Sequence, residues 1–123
     1  MSDKKKILIA DDDRILTHVV SSDLRSKGWA VEVANDSMQA FMFAVRSQPA
    51  AIVLDIHMPG GNGLDVLARL QRSSRTQQIP VVVVSGSWSH DEPGLVLELG
   101  ASAFLEKPAD PSLLHETLTR LAA

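Results

Sequence analysis

The chain has 123 residues, 45% of them hydrophobic, a formal net charge of −3 and no cysteine. That length supports one domain able to bury roughly two-thirds of its unfolded surface, and the missing cysteine excludes disulfides, thiolate metal sites and sulfur redox chemistry. No apolar run approaches the ~20 residues of a membrane span, and Ile7 to Ala10 is too short for a secretory signal, so a cytoplasmic protein without membrane contact is expected.

In chain order, "KILIA" (6–10) reads as a buried strand and is followed by Asp13, a helix N-cap ahead of Leu16, Val20 and Leu24 at helical spacing, with Gly28 closing the helix. "AVEVA" (30–34) is the second strand; Asn35 and Asp36 make a turn and N-cap, and Met38, Phe41 and Val45 mark a second helix stopped by Pro49. Met38, Phe41 and Met42 are taken as helix core rather than a cofactor box. "AIVLD" (51–55) gives the third strand and Leu64, Leu67 and Leu70 the third helix. Arg69, Arg72 and Arg75 read as its solvated face. "PVVVVS" (80–85) is the fourth strand; Pro93 and Gly94 weaken the next helix, leaving Leu95 to Leu99 as its helical core, short and mobile. "AFLEK" (103–107) is the fifth strand, and Asp110 with Pro111 opens a last helix carrying Leu114, Leu118 and Leu121.

Apolar strands alternating with amphipathic helices imply an α/β fold, a parallel sheet buried between helices, as a single domain over 1–123 with no output domain in this chain. Apart from Lys4 to Lys6 and the trio Arg69, Arg72 and Arg75 the basic residues are scattered, which argues against direct nucleic-acid contact. His18, His90 and His115 read as surface or satisfied histidines.

Ligands of an open parallel sheet sit outside the carboxyl ends of its strands, where strand order reverses. There the first strand delivers Asp11 and Asp12, the third Asp55, the fourth Ser85 and the fifth Lys107. An acid closing "AIVL" is hard to explain as structure, since a buried strand disfavours it. Carboxylates ~4 Å apart repel by about 4 kcal/mol at an effective dielectric of 20, so three in one crevice demand cations. A single lysine is insufficient, and an all-oxygen site suits Mg²⁺ completed by phosphate oxygens. Carboxylates, a divalent ion, a lysine and a hydroxyl are equipment for phosphoryl transfer; which acid is the nucleophile does not follow from the residues.

"ILIADDD", "VLDIHMPGGNG", "VVVVSG" and "GASAFLEKP", in this order and spacing, resemble the receiver domain of two-component response regulators over the whole chain. The resemblance implies a flavodoxin-like, doubly wound five-stranded sheet of order 2-1-3-4-5 with five flanking helices. It implies that Asp55 accepts a phosphoryl group from a phosphohistidine on a sensor histidine kinase or histidine phosphotransfer protein. Mg²⁺ (or Mn²⁺) would be held by Asp12 directly, by Asp11 largely through water, by Asp55 and by the backbone carbonyl of His57. Lys107 would pair with Asp55 and precede a cis bond to Pro108. Ser85 and Phe104 would form the switch, and His57 and Ser87 would tune hydrolysis. Phe104 stands where tyrosine is frequent, Ser85 where threonine is commoner, and Gly86 where alanine is usual. The downstream target would bind the face made by helix 4, strand 5 and helix 5, with a phosphorylation-linked dimer as a further implied state. Such a module catalyses only its own phosphorylation and dephosphorylation and is no turnover enzyme. Two rival readings share part of the pattern. A metal-dependent aspartyl-phosphate phosphatase would carry a second acid two residues after the nucleophile, where this chain has His57. A phosphorylation-independent interaction domain would have no need of the full set of Asp11, Asp12, Asp55, Ser85 and Lys107.

Overall fold

The computed structural model describes residues 4–58, 63–86 and 92–122. Five parallel strands, β1 (Lys6–Ala10), β2 (Ala30–Ala34), β3 (Ala51–Asp55), β4 (Val81–Ser85) and β5 (Ala103–Glu106), lie in the order β2-β1-β3-β4-β5. They alternate with α1 (Arg14–Ser26), α2 (Ser37–Ser47), α3 (Gly63–Arg72), α4 (Glu92–Glu98) and α5 (Pro111–Leu121). The flavodoxin-like order that the resemblance implies is therefore the observed one, with its reversal at the β1/β3 boundary.

Burial explains the strand compositions. β3 and β4 are buried at every position and β1 everywhere after Lys6, whereas the edge strands β2 and β5 are mostly half-buried and carry Glu32 and Glu106. Successive strand residues point to opposite faces, so two cores form. Ile7, Ile9, Val53, Val82 and Val84 pack with Leu24, Leu114 and Leu118 of α1 and α5. Leu8, Ile52, Leu54, Val81 and Val83 pack with Ala40 and Ala44 of α2, Val66, Leu67 and Leu70 of α3, and Val96 of α4.

The helix starts follow from side-chain caps. Asp13 Oδ1 accepts from Leu16 N at 3.0 Å, Asp36 Oδ1 from Gln39 N at 2.8 Å, and Asp110 Oδ1 from Ser112 N at 2.8 Å ahead of Pro111. Each such cap is worth about 1 kcal/mol. After α1, Gly28 turns the chain at φ +96, a value open to glycine.

Two helix faces differ from expectation. Met38 and Met42 are 68% and 53% exposed, so they are surface rather than core. The residues α2 buries are Ser37, Ala40 and Ala44. Apolar residues surround most of "AFMFAV", and periodicity alone cannot orient such a helix; the small alanine stripe wins because it lets α2 approach the sheet closely. In α4, seven residues long as its Pro and Gly suggested, the buried side chain is Val96, while Leu95 and Leu97 are exposed and Leu99 packs at the edge of the core. Arg69 is exposed as expected, yet its guanidinium also lies 4.3 Å over the Phe41 ring.

Candidate functional site

Register and parity assemble the site. β1 and β3 pair through Ile9↔Val53; two residues further along each strand stand Asp11 and Asp55, on the face turned toward α1 and α5. Lys107 follows β5 on that same side, its backbone N donating to Ser85 O at 2.9 Å, and its bond to Pro108 is cis, as the resemblance implied. Lys107 Nζ lies 2.8 Å from Asp11 Oδ2 and 3.2 Å from Asp55 Oδ2. The pairing with Asp55 that the resemblance implied is present, and Lys107 makes a second, shorter contact to Asp11. The carboxylates' other oxygens are held by backbone donors, Asp11 Oδ1 by Asp13 N at 2.9 Å and Asp55 Oδ1 by His57 N at 3.0 Å.

Asp11 and Asp55 are buried while Asp12 and His57 are exposed, and Asp13 is spent as the α1 cap. An open cleft of about 340 Å³ stands before Asp55, bordered by Asp12, Asp13, His57, Gly86 and Lys107. Ser85 is fully buried at the end of β4, and Phe104 is half-buried against the α2/α3/α4 core. Among the remaining expectations, Ser87 and His90 lie outside the described residues.

Three features carry no clear signal in the sequence. Beneath the carboxylates Ile9, Leu16, Val20, Val53, Val84 and Leu114 line a mostly apolar chamber of about 40 Å³, so the acids rest on a poorly solvating floor. Gly63 lies so close to Ile56 that a Cβ there would fall 2.3 Å from the Ile56 Cα; glycine lets the start of α3 pass directly behind the residue that follows Asp55. A Cβ on Gly86 would sit 3.2 Å from Lys107 Cβ, so the glycine found where alanine is usual gives the lysine stem extra room.

Electrostatics follows from the floor. Burial raises the Asp55 carboxyl above its ordinary 3.8, reinforced by the Asp11 charge and opposed by the His57 N–H and by Lys107. Burial pulls the Lys107 ammonium down, but the hydrogen bond and charge of Asp11, together with those of Asp55, outweigh it and leave the net shift upward from 10.5. The lysine is thus firmly protonated and Asp55 is the strained acid. Asp11, Asp12 and Asp55 each offer an oxygen, all within 4.8 Å of one another, and an all-oxygen set with one exposed member suits Mg²⁺, which keeps several waters.

Residues 7–119 match the family described as the response regulator receiver domain. The chain belongs to this family. Response regulator MprA of Mycobacterium leprae is 36% identical over 118 residues, covering 96% of this chain and 50% of its own length. The DNA-binding dual master transcriptional regulator RpaA of Synechocystis is 35% identical over 118 residues, with 96% and 48% covered. This receiver therefore spans about half the length of these curated relatives. Among solved structures, the receiver domain of sensor histidine kinase PA1611 from Pseudomonas aeruginosa, crystallised with magnesium in its active-site cleft, superposes with a TM-score of 0.88 at 24% identity over 97% of this chain and 98% of that one. That likeness shows the shared fold. Receivers serve phosphorelay signalling, and this one is a signalling module whose acidic pocket fits a divalent ion and a phosphoryl-accepting aspartate.

Proposed function

We propose that Asp55 is the phosphoryl acceptor of this receiver, taking its phosphoryl group from a phosphohistidine of a sensor histidine kinase or histidine phosphotransfer protein. The observation that carries the reading is the placement of Lys107 Nζ between Asp11 and Asp55, at 2.8 and 3.2 Å, at the back of an open cleft. A carboxylate oxygen of Asp55 attacks phosphorus, the P–N bond breaks, and the leaving imidazole keeps the bonding pair. Lys107 neutralises charge on the transferring group, and the His57 N–H holds Asp55 Oδ1 so that the carboxylate presents a fixed edge.

Asp12, Asp55 and the His57 carbonyl would hold Mg²⁺ (or Mn²⁺), which when bound neutralises the phosphoryl oxygens. Both Asp11 oxygens are already engaged, by Asp13 N and by Lys107, which supports its acting through water. Ser85 then donates to the phosphoryl group and Phe104 follows it, shifting the population toward a target-binding surface on α4, β5 and α5; there Leu95, Leu97 and Leu113 are exposed apolar side chains. The phosphorylated form would also be the one that dimerises. For the phosphoryl donor, Ile15 and Val19, 80% and 57% exposed on the helix that starts at the site, offer an apolar docking stripe. These residues make no direct nucleic-acid contact in this reading, although one relative's name includes DNA binding. His57, rather than an acid, two residues beyond Asp55 favours a switch over a turnover phosphatase, with His57 and Ser87 setting the lifetime. Incubation with a small phosphodonor and Mg²⁺ should place one hydroxylamine-labile phosphate on the peptide containing Asp55. Equal labelling of Asp55→Asn would sink the assignment.

A further inference from the structure

The end of the sheet opposite Asp55 carries a second concentration of charge. A cleft of about 380 Å³ opens there between the start of β1, the α1–β2 turn and the last turns of α5, lined by Lys4, Lys5, Lys27, Trp29, His115 and Thr119. The chain has only five lysines in an acidic composition; three of them border this cleft. Their local contacts leave donors over, since an ammonium has three. Lys27 Nζ pairs with Asp23 Oδ2 at 3.0 Å and Lys5 Nζ donates to Ala122 O at 2.6 Å; among the described residues no other carboxylate pairs with these lysines. Trp29 Nε1 donates to His115 Nδ1 at 3.1 Å, so the ring proton of neutral His115 sits on Nε2, a further donor.

We propose that this cleft binds a small polyphosphate-type anion. Among the described residues its opponents are the Asp23 carboxylate and the C-terminal ends of the α1 and α5 helices, each helix end worth roughly half a negative charge. Three ammonium groups exceed that sum by about one charge, and their spare N–H donors line one cleft, so a ligand offering several anionic oxygens engages all three at once and its binding responds strongly to salt, the screening length being about 8 Å at physiological ionic strength. Lysines are point charges that suit phosphate oxygens in any orientation. Trp29 is only 9% exposed and edge-on to His115; it forms a wall, not a stacking platform, so recognition falls on the phosphate chain whether it is inorganic or part of a nucleotide. The site is independent of Asp55.

The test uses the full chain with Trp88→Phe, leaving Trp29 as the reporter, and Asp55→Asn to silence the acceptor site, without Mg²⁺. Tripolyphosphate at constant ionic strength should change Trp29 emission saturably. Lys4→Gln/Lys27→Gln should weaken binding at least tenfold, and Asp23→Asn, which releases Lys27, should tighten it several-fold. Adenosine triphosphate should bind like tripolyphosphate if the phosphate chain is what is read. A response matched by sodium chloride, one indifferent to the lysine and Asp23 variants, or tighter binding of a glutamate oligopeptide than of tripolyphosphate would each overturn the proposal.

Discussion

Replacing Lys107 by methionine keeps most of the apolar stem and removes the charge that Asp11 and Asp55 share. At an effective dielectric of 20, contacts of 2.8 and 3.2 Å correspond to gross attractions of about 6 and about 5 kcal/mol. Most of that offsets the desolvation of the three groups, and removing one partner from a buried pair has a net effect of about 3–5 kcal/mol. The lysine side chain is 20% exposed, and the orphaned carboxylates can take up a proton, so the lower end, about 3 kcal/mol, is expected at neutral pH in a chelator. Adding Mg²⁺ should recover at least about 1 kcal/mol more in the variant than in the parent, because the metal no longer shares the carboxylates with an ammonium. Urea unfolding of both proteins with and without Mg²⁺, compared at constant m, measures this. An equal loss in chelator and in saturating Mg²⁺ would refute the electrostatic account and leave Lys107 as a packing residue.

Three further outcomes are expected. Asp55, with its carboxyl pK raised by burial, binds its proton more tightly folded than unfolded. Without Mg²⁺ its contribution therefore turns unfavourable as pH rises above 3.8, and the stability advantage of Asp55→Asn should grow from nil below that value and level off once pH exceeds the raised folded pK; a pH-independent advantage in thermal unfolding would contradict this. Ser21 is buried in α1 with a hydroxyl that finds no hydrogen-bond partner among the described residues, so Ser21→Ala should stabilise by about 0.5–1 kcal/mol through relief of desolvation and better helix propensity; a loss of stability in urea would point to an unseen partner. Gly63→Ala drives a Cβ against the Ile56 backbone and should destabilise by about 2–3 kcal/mol, with an unchanged urea midpoint counting against the close approach.

Local chemistry made much of the molecule legible. Buried β-branched runs, the aspartate caps at 13, 36 and 110 and the Gly28 turn each act within a few residues, and the strand-end rule alone places Asp11, Asp12, Asp55, Ser85 and Lys107 at one edge. The orientation of α2 was not legible, because apolar residues on most of its circumference leave the choice to the fit between Ala40, Ala44 and the sheet. Nor was the preference of Lys107 for Asp11, which depends on where a flexible stem comes to rest once Ser85 O fixes its backbone and Gly86 leaves it room.

By itself, then, the sequence determined which groups occur and which strand end each occupies, since alternation and capping are short-range. Only the tertiary structure decided what each group experiences. The apolar chamber under Asp55, the sharing of one ammonium by two carboxylates and the gathering of three lysines around Trp29 and His115 arise from packing residues far apart in the chain, and no local pattern encodes the dielectric or the distances that result.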